Sequence, residues 1–572
     1  MISLHIIFLL ICALYVKYNH AWAYRSKFDE LRMSPFFIDK TEFLRLLFDP
    51  SCSASADQFY FITAPHRFSK STLLRMTQSF CEMELDSNGD PKPYSETEAY
   101  KVFKDTRIFQ YSNLVQKNLA SYPVIFLDMT KYAAMHQSHR KIAVELNDKF
   151  LDAIKPFNLR LERIQRYIRE GYPDNYTMSI SSRRFIETLY ARNMTIQTLD
   201  SSLMLLVKFL YELFDNRQVI LLIDEYDNTA LRSYIFQRGY TARNYRKLNK
   251  ILFKLIKGGK NFIRNIVMMG VSSLAFASDD ILPKHMTHMC FLNDHSVMPY
   301  LGVTETELTD IFDKYQCCDE ERAAIVDYYR PYRTAIKKAA VYHPYSLNSY
   351  FTLRTLPVWE DALKPHWRKL EGQGLNAPFY KSELFRKTID DILSNKTVRL
   401  KLRKQQPGNA LDQLELLRDQ NFQSITDEQV FIFIRLYFEL GYISHADRDS
   451  HAYIIPNNDA RMIVEFDREV YWSRFAKRDL NVTLPPTMRP PSQDQFFDDP
   501  DVVPAAESGI SLVEEEPLDP DCVPPPPRPE RPRPERPQPE SEEEEEETTS
   551  ATIEPITYDL RSRYKREVKV DF

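Results

Sequence analysis

Phe59-Tyr60-Phe61-Ile62-Thr63-Ala64-Pro65-His66-Arg67-Phe68-Ser69-Lys70-Ser71-Thr72 is the stretch on which the fold turns. An apolar run of strand-forming residues stops at Thr63 and a loop follows. Lys-Ser-Thr then opens a segment in which Leu73, Met76 and Phe80 fall at i, i+3 and i+7 on one helical face. Strand, loop, Lys-Ser/Thr, helix is the layout of a phosphate-binding loop. In such a loop a Lys reaches the terminal phosphates, a hydroxyl holds Mg²⁺, and the helix N-terminus offers free N–H groups to the anion.

Three more apolar runs follow: Val124 to Asp128, Val219 to Asp224, and Asn265 to Val271. Stretches with helical spacing separate them, among them the stripe Leu248, Ile251, Leu252, Leu255. This alternation predicts an α/β fold with a parallel sheet covered by helices on both faces. The third run closes in Asp224-Glu225-Tyr226-Asp227. In a nucleotide hydrolase Asp224 holds the metal together with Ser71, and Glu225 polarises the attacking water.

With these residues the chain resembles the AAA-ATPase-like family of P-loop proteins. Phe37-Ile38-Asp39-Lys40-Thr41 looks like the family's opening motif, and Arg67-Phe68-Ser69-Lys70-Ser71 matches its Arg-Phe-Gly-Lys-Ser loop apart from one residue. Leu222 to Asp227 matches its Walker B motif, and Gly270-Val271-Ser272 sits at its sensor strand end. Tyr342-His343-Pro344-Tyr345-Ser346 and Ile455-Pro456-Asn457 resemble motifs of its helical C-terminal part. The similarity spans Pro35 to Phe466. It implies a P-loop NTPase-like sheet with flanking helices and a mostly helical C-terminal region. It also implies an ATP and Mg²⁺ site built from Arg67, Ser69, Lys70, Ser71 and Thr72, with Ser71 and Asp224 on the metal and Glu225 as the catalytic residue.

Departures from the family pattern bear on activity. Ser69 stands where the family has Gly, in a chain with only 12 Gly and none before Gly89. That position calls for a positive φ, which costs a non-Gly residue ~1–2 kcal/mol. Ala64 and His66 replace residues that are usually Arg, and Ser273 replaces a basic one. The family's nuclease-like domain is absent after Phe466, so no nuclease activity is carried over. Retention of Lys70, Ser71, Asp224 and Glu225 predicts Mg-ATP binding, while the substitutions predict weak or absent hydrolysis. Two readings stand beside this one. In the first, Lys70 pairs with Asp224 across an empty pocket and the fold is a non-catalytic scaffold for a protein partner. In the second, a polyanion or nucleic acid binds the basic segment 232–264, which lies in a stretch with no Asp or Glu between Asp227 and Asp279.

The remaining sequence sets boundaries and location. Residues 1–23 read as a secretory signal, with the apolar run Ile6 to Val16 followed by Ala21-Trp22-Ala23. No later segment has the ~20 apolar residues a membrane span needs, so the mature chain is expected to be secreted. Residues 24–300 are assigned to the P-loop domain and 301–484 to the helical region, with a short strand-like piece at His451 to Ile455. Residues 485–572 hold 18 of the 35 Pro, with 23 acidic and 10 basic residues, and read as a disordered Pro/Glu-rich tail. Without the signal six Cys remain, and adjacent Cys317 and Cys318 would need different disulfide partners. Sequons for glycosylation occur at Asn175, Asn193, Asn395 and Asn481.

Overall fold

In the computed structural model the first three apolar runs are strands over the expected residues: β1 (Phe59–Thr63), β2 (Val124–Asp128) and β3 (Val219–Asp224). The fourth, β4 (Ile263–Gly270), begins two residues earlier than its apolar run and ends one residue before it. They are continuous apolar runs because both faces of the sheet are covered. Phe59, Phe61, Leu221, Ile223, Ile266 and Met268 enter one buried cluster, while Tyr60, Ile62, Ile220, Leu222, Val267 and Met269 enter the other. Alternate residues of a strand point to opposite faces, so each run feeds two cores.

All pairings in the main sheet are parallel, and the strand order is β2-β3-β4-β1-β5. The edge strand β5 (Met286–Cys290) was not anticipated. Its Thr287 and His288 interrupt the apolar run, as an edge position permits. Helix α1 (Lys70–Cys81) follows β1, and the stripe Leu73, Met76, Phe80 is buried as expected. Helices α2 (His139–Ile154) and α3 (Ile196–Leu213) cover the opposite face.

The structure describes residues 28–471 except 50, 53–58, 130–138, 170–177, 195, 228–250, 253, 277–285, 335–338, 356–357, 367–378, 404–408, 417–424 and 447–448. The signal segment 1–23, the tail 485–572, Leu248, Cys12, Cys522, Asn175, Asn481 and most of the basic segment lie outside the described residues. So does the whole of the second compact unit, Pro491–Phe572. Among the described residues no helix is long and apolar enough to cross a membrane. The five described cysteines, Cys317 and Cys318 among them, are free thiols. Asn193 and Asn395 are exposed.

Beyond residue 300 helices dominate: α4 (Glu305–Lys314), α5 (Pro344–Leu353), α6 (Glu383–Leu393), α7 (Asp427–Glu439) and α8 (Asn458–Tyr471). Two small three-stranded antiparallel sheets accompany them. One joins β6 (Val303–Thr304), β7 (Tyr332–Arg333) and β8 (Ala340–Tyr342); the other joins β9 (Val398–Arg399), β10 (Ser444–His445) and β11 (Ala452–Ile454). The strand-like piece expected at His451 to Ile455 is β11.

The helical region shares a core with the sheet. Phe433 and Tyr437 of α7 belong to the same cluster as Tyr60 of β1 and Leu73 of α1. The opening motif ties the two parts together through polar contacts. Asp39 accepts from Thr41 N and Oγ1 at 2.9 and 2.6 Å and from Arg107 N at 2.8 Å. Lys40 Nζ meets Glu307 Oε2 at 2.6 Å, and Glu307 also closes the capping box of α4 with Thr304.

Phe68 is the loop residue that enters this shared core, fully buried between Phe291, Tyr332 and His343 at ring separations of 4.5, 5.1 and 4.7 Å. Truncation of such a ring leaves a cavity. Phe68→Ala is therefore expected to destabilise the fold by ~3–5 kcal/mol in urea unfolding, and a loss below 1 kcal/mol would contradict this packing.

Candidate functional site

The loop after β1 enters α1 through two left-handed residues, Arg67 (φ 63) and Ser69 (φ 49). Ser69 thus adopts the backbone shape that Gly serves elsewhere. Its side chain makes no capping hydrogen bond to α1. The first-turn N–H groups of Lys70, Ser71 and Thr72 have no partner within the helix, so an anion can take them.

Lys70 is 4% exposed and lies under the loop, where its Nζ donates to Ala64 O at 3.0 Å and Pro65 O at 2.8 Å. This corrects the expected pairing of Lys70 with Asp224. The loop carbonyls claim the ammonium because they surround it at the turn. An ammonium has three N–H donors, so one is left for a ligand.

Asp224 ends β3 and is 4% exposed, with no hydrogen bond to its Oδ1. Burial raises its carboxyl to about 6, and the charges of Glu225 and Asp128 act in the same direction. Hydrogen bonding from Ser71 and the charge of Lys70 oppose the rise. Ser71 and Asp224, the expected metal pair, are therefore brought together. A buried carboxylate oxygen without a donor, beside a hydroxyl, suits a hard divalent cation. Glu225 is half-buried and left-handed, with φ 51, a turn forced where the chain leaves the strand.

Asp128 escaped the sequence reading. It is the register partner of Asp224 on the neighbouring strand, and Arg75 of α1 approaches it at 4.0 Å. A lone Asp at the end of an apolar run carries no motif, and only the register places it at the site.

Asp227 turns out to be structural. It is fully buried and accepts from Val271 N at 3.1 and 3.0 Å and from Ser272 N at 2.6 Å. Burial pushes its carboxyl up to about 7, Glu225 adds to this, and the Ser272 and Val271 amides hold it down. The close approach demands Gly270, where a Cβ would come within 2.2 Å of the Tyr226 ring and 2.4 Å of Asp227 Oδ1. Ser272 Oγ and Ser273 Oγ then donate to Glu439 at 2.6 and 2.5 Å, and Arg435 Nε meets the same carboxylate at 3.2 Å.

Arg67, considered as a loop cation, is exposed and its guanidinium lies 3.9 Å from the Tyr345 ring centre. Of the basic segment, Lys254 donates to Ser201 Oγ at 3.2 Å, and most of its other members lie outside the described residues. Among the described residues no group of three His, Cys, Asp or Glu is arranged for a metal ion.

The raised Asp224 carboxyl has a consequence for stability. Between its ordinary 3.8 and about 6 the folded chain keeps a proton that the unfolded chain has released, so this contribution is lost as pH rises through that window. Asp224→Asn cannot ionise. In thermal unfolding without ligand it is expected to equal the wild type near pH 4 and to exceed it by roughly 1–3 kcal/mol at pH 8. Identical pH slopes for the two proteins would refute the assignment.

Residues 25–282 match the family model AAA-ATPase_like, described as a predicted AAA-ATPase. No curated protein matches the sequence. Among solved structures the chain is similar to the Aeropyrum pernix ORC2 protein in ADPNP–ADP complexes, with 12% identity and a TM-score of 0.32 over 76% of this chain and 92% of that one. It is also similar to Cdc6p from Pyrobaculum aerophilum, with 11% identity and a TM-score of 0.24 over the same shares of each chain. The loop, the strand-end carboxylates and the matched family model together make residues 25–282 an AAA-ATPase-like domain.

Proposed function

We propose that this protein binds a nucleoside triphosphate with Mg²⁺, turns it over weakly or not at all, and acts outside the cell. The Asp224 carboxyl carries the nucleotide reading. It is held out of water beside Ser71 with one oxygen lacking a hydrogen bond, an arrangement that costs free energy unless a cation offsets it. Lys70 and the first-turn N–H groups of Ser71 and Thr72 would hold the phosphates, and Ser71 and Asp224 the metal. Bound Mg²⁺ neutralises phosphate oxygens and so supplies the electrostatic part of the chemistry.

Weak turnover follows from the residues around that site. Glu225 is placed to orient water, but Ser69 brings a Cβ to the loop where the motif has none. Arg67, expected in the site, instead lies over the Tyr345 ring. Export rests on the signal-like segment 1–23.

Mg-ATP at a hundredfold excess over Kd is expected to stabilise the wild type by ~2.7 kcal/mol in a thermal shift. Lys70→Ala should abolish the shift and Glu225→Gln should keep it. A shift that survives Lys70→Ala would place the nucleotide elsewhere, and no shift in the wild type would leave the fold as a scaffold. Because a metal ligand must be ionised, Mg-dependent binding should weaken as pH falls below about 6, and binding unchanged to pH 5 would remove Asp224 from the site. Amino-terminal sequencing of protein collected from the medium should begin near Tyr24; an intact Met1 found only inside cells would end the export reading.

A further inference from the structure

The phosphate loop keeps its shape without glycine, and most of the groups that impose it come from the helical region. Phe68, between left-handed Arg67 and Ser69, is caged by Phe291, Tyr332 and His343. The preceding peptide is held as well, with His66 O lying 3.3 Å from His343 Nε2. A carbonyl only accepts, so Nε2 is the donor. His343 is 1% exposed, its Nδ1 lies 2.6 Å from Ser346 Oγ, and Ser346 Oγ is in turn hydrogen-bonded to Asp459 of α8. The Arg67 side chain rests on Tyr345, two residues beyond His343. Three successive loop residues are thus gripped by a single segment at the start of α5.

We infer that His343 and Tyr345 are positioning residues of the phosphate loop. They hold the left-handed path that glycine provides in other loops of this type, and so make nucleotide affinity depend on the helical region. This rests on the nucleotide reading above. His343 suits the task because it stays uncharged: burial and the nearby charges of Arg67 and Lys70 lower its pKa to about 3. It adds a hydrogen bond without adding a charge to the loop.

The inference separates from simple structural support by its dependence on Ser69. If the grip maintains a strained backbone, relieving the strain makes the grip dispensable. Mg-ATP affinity is measured by calorimetry on the full chain for wild type, Ser69→Gly, His343→Ala and the double variant. His343→Ala should weaken binding about tenfold, the worth of one left-handed residue, and by less than about threefold when Ser69 is Gly. An equal loss in both backgrounds, or no loss in either, overturns the inference.

Tyr345→Ala, at a half-buried position, repeats the cycle if His343→Ala does not fold. If neither the wild type nor Ser69→Gly binds Mg-ATP, the nucleotide reading itself fails. The cycle is then read on Tm without ligand. Ser69→Gly should raise Tm by about 1–3 °C more in the wild type than in the His343→Ala or Tyr345→Ala background, and equal shifts overturn the inference.

Discussion

The burial of one ring, Phe68, is the constraint that the site depends on. It sits between two residues whose backbones occupy the left-handed region, each at a cost of ~1–2 kcal/mol. Removing a large aromatic side chain from water contributes ~1.5–3 kcal/mol, with further gains from packing against other rings. The two sides are of the same order, so the loop shape is sustained by tertiary contact and not by local preference. Phe291, Tyr332 and His343, which form the cage, come from the end of β5 and from the helical region. The phosphate loop and the C-terminal part are consequently one packing problem.

A second set of links runs from the carboxylates at the strand ends. Asp227 gathers the amides of Val271 and Ser272, and Gly270 permits the approach. The two serines that follow donate to Glu439, whose charge is balanced by Arg435 one helical turn away on α7. The family's basic residue at position 273 is thus absent while its charge has a counterpart inside the core. A buried ion pair of this kind adds little net stability, but removing one partner leaves an uncompensated charge. Such pairs therefore fix where α7 sits against the sheet. Both networks end in the helical region, and both begin within a few residues of the expected phosphate and metal ligands.

Much of this was legible from residues alone because it is local. Three of the five strands of the main sheet coincide with their apolar runs, since a strand buried on both faces must be apolar throughout. The edge strand Met286–Cys290 was missed for the converse reason: polar Thr287 and His288 break the run. The small antiparallel sheets are built from strands of two or three residues, too short to show a period. Asp128 carries no motif and joins the site only through its register with Asp224.

The sequence by itself determined the α/β layout, the order of phosphate loop and strand-end carboxylates, and the identity of Lys70, Ser71, Asp224 and Glu225 as the groups to watch. These follow from periodicity and from residue chemistry at fixed spacing, which are properties of neighbours along the chain. Only the tertiary structure decided that Lys70 reaches Ala64 and Pro65 and not Asp224, that Asp227 is a tie and not a ligand, and that His343 and Tyr345 grip the loop. Those outcomes depend on which groups meet across long sequence separations when the cores close. Hydrogen-bond partners and desolvation are set by that closure and not by local order.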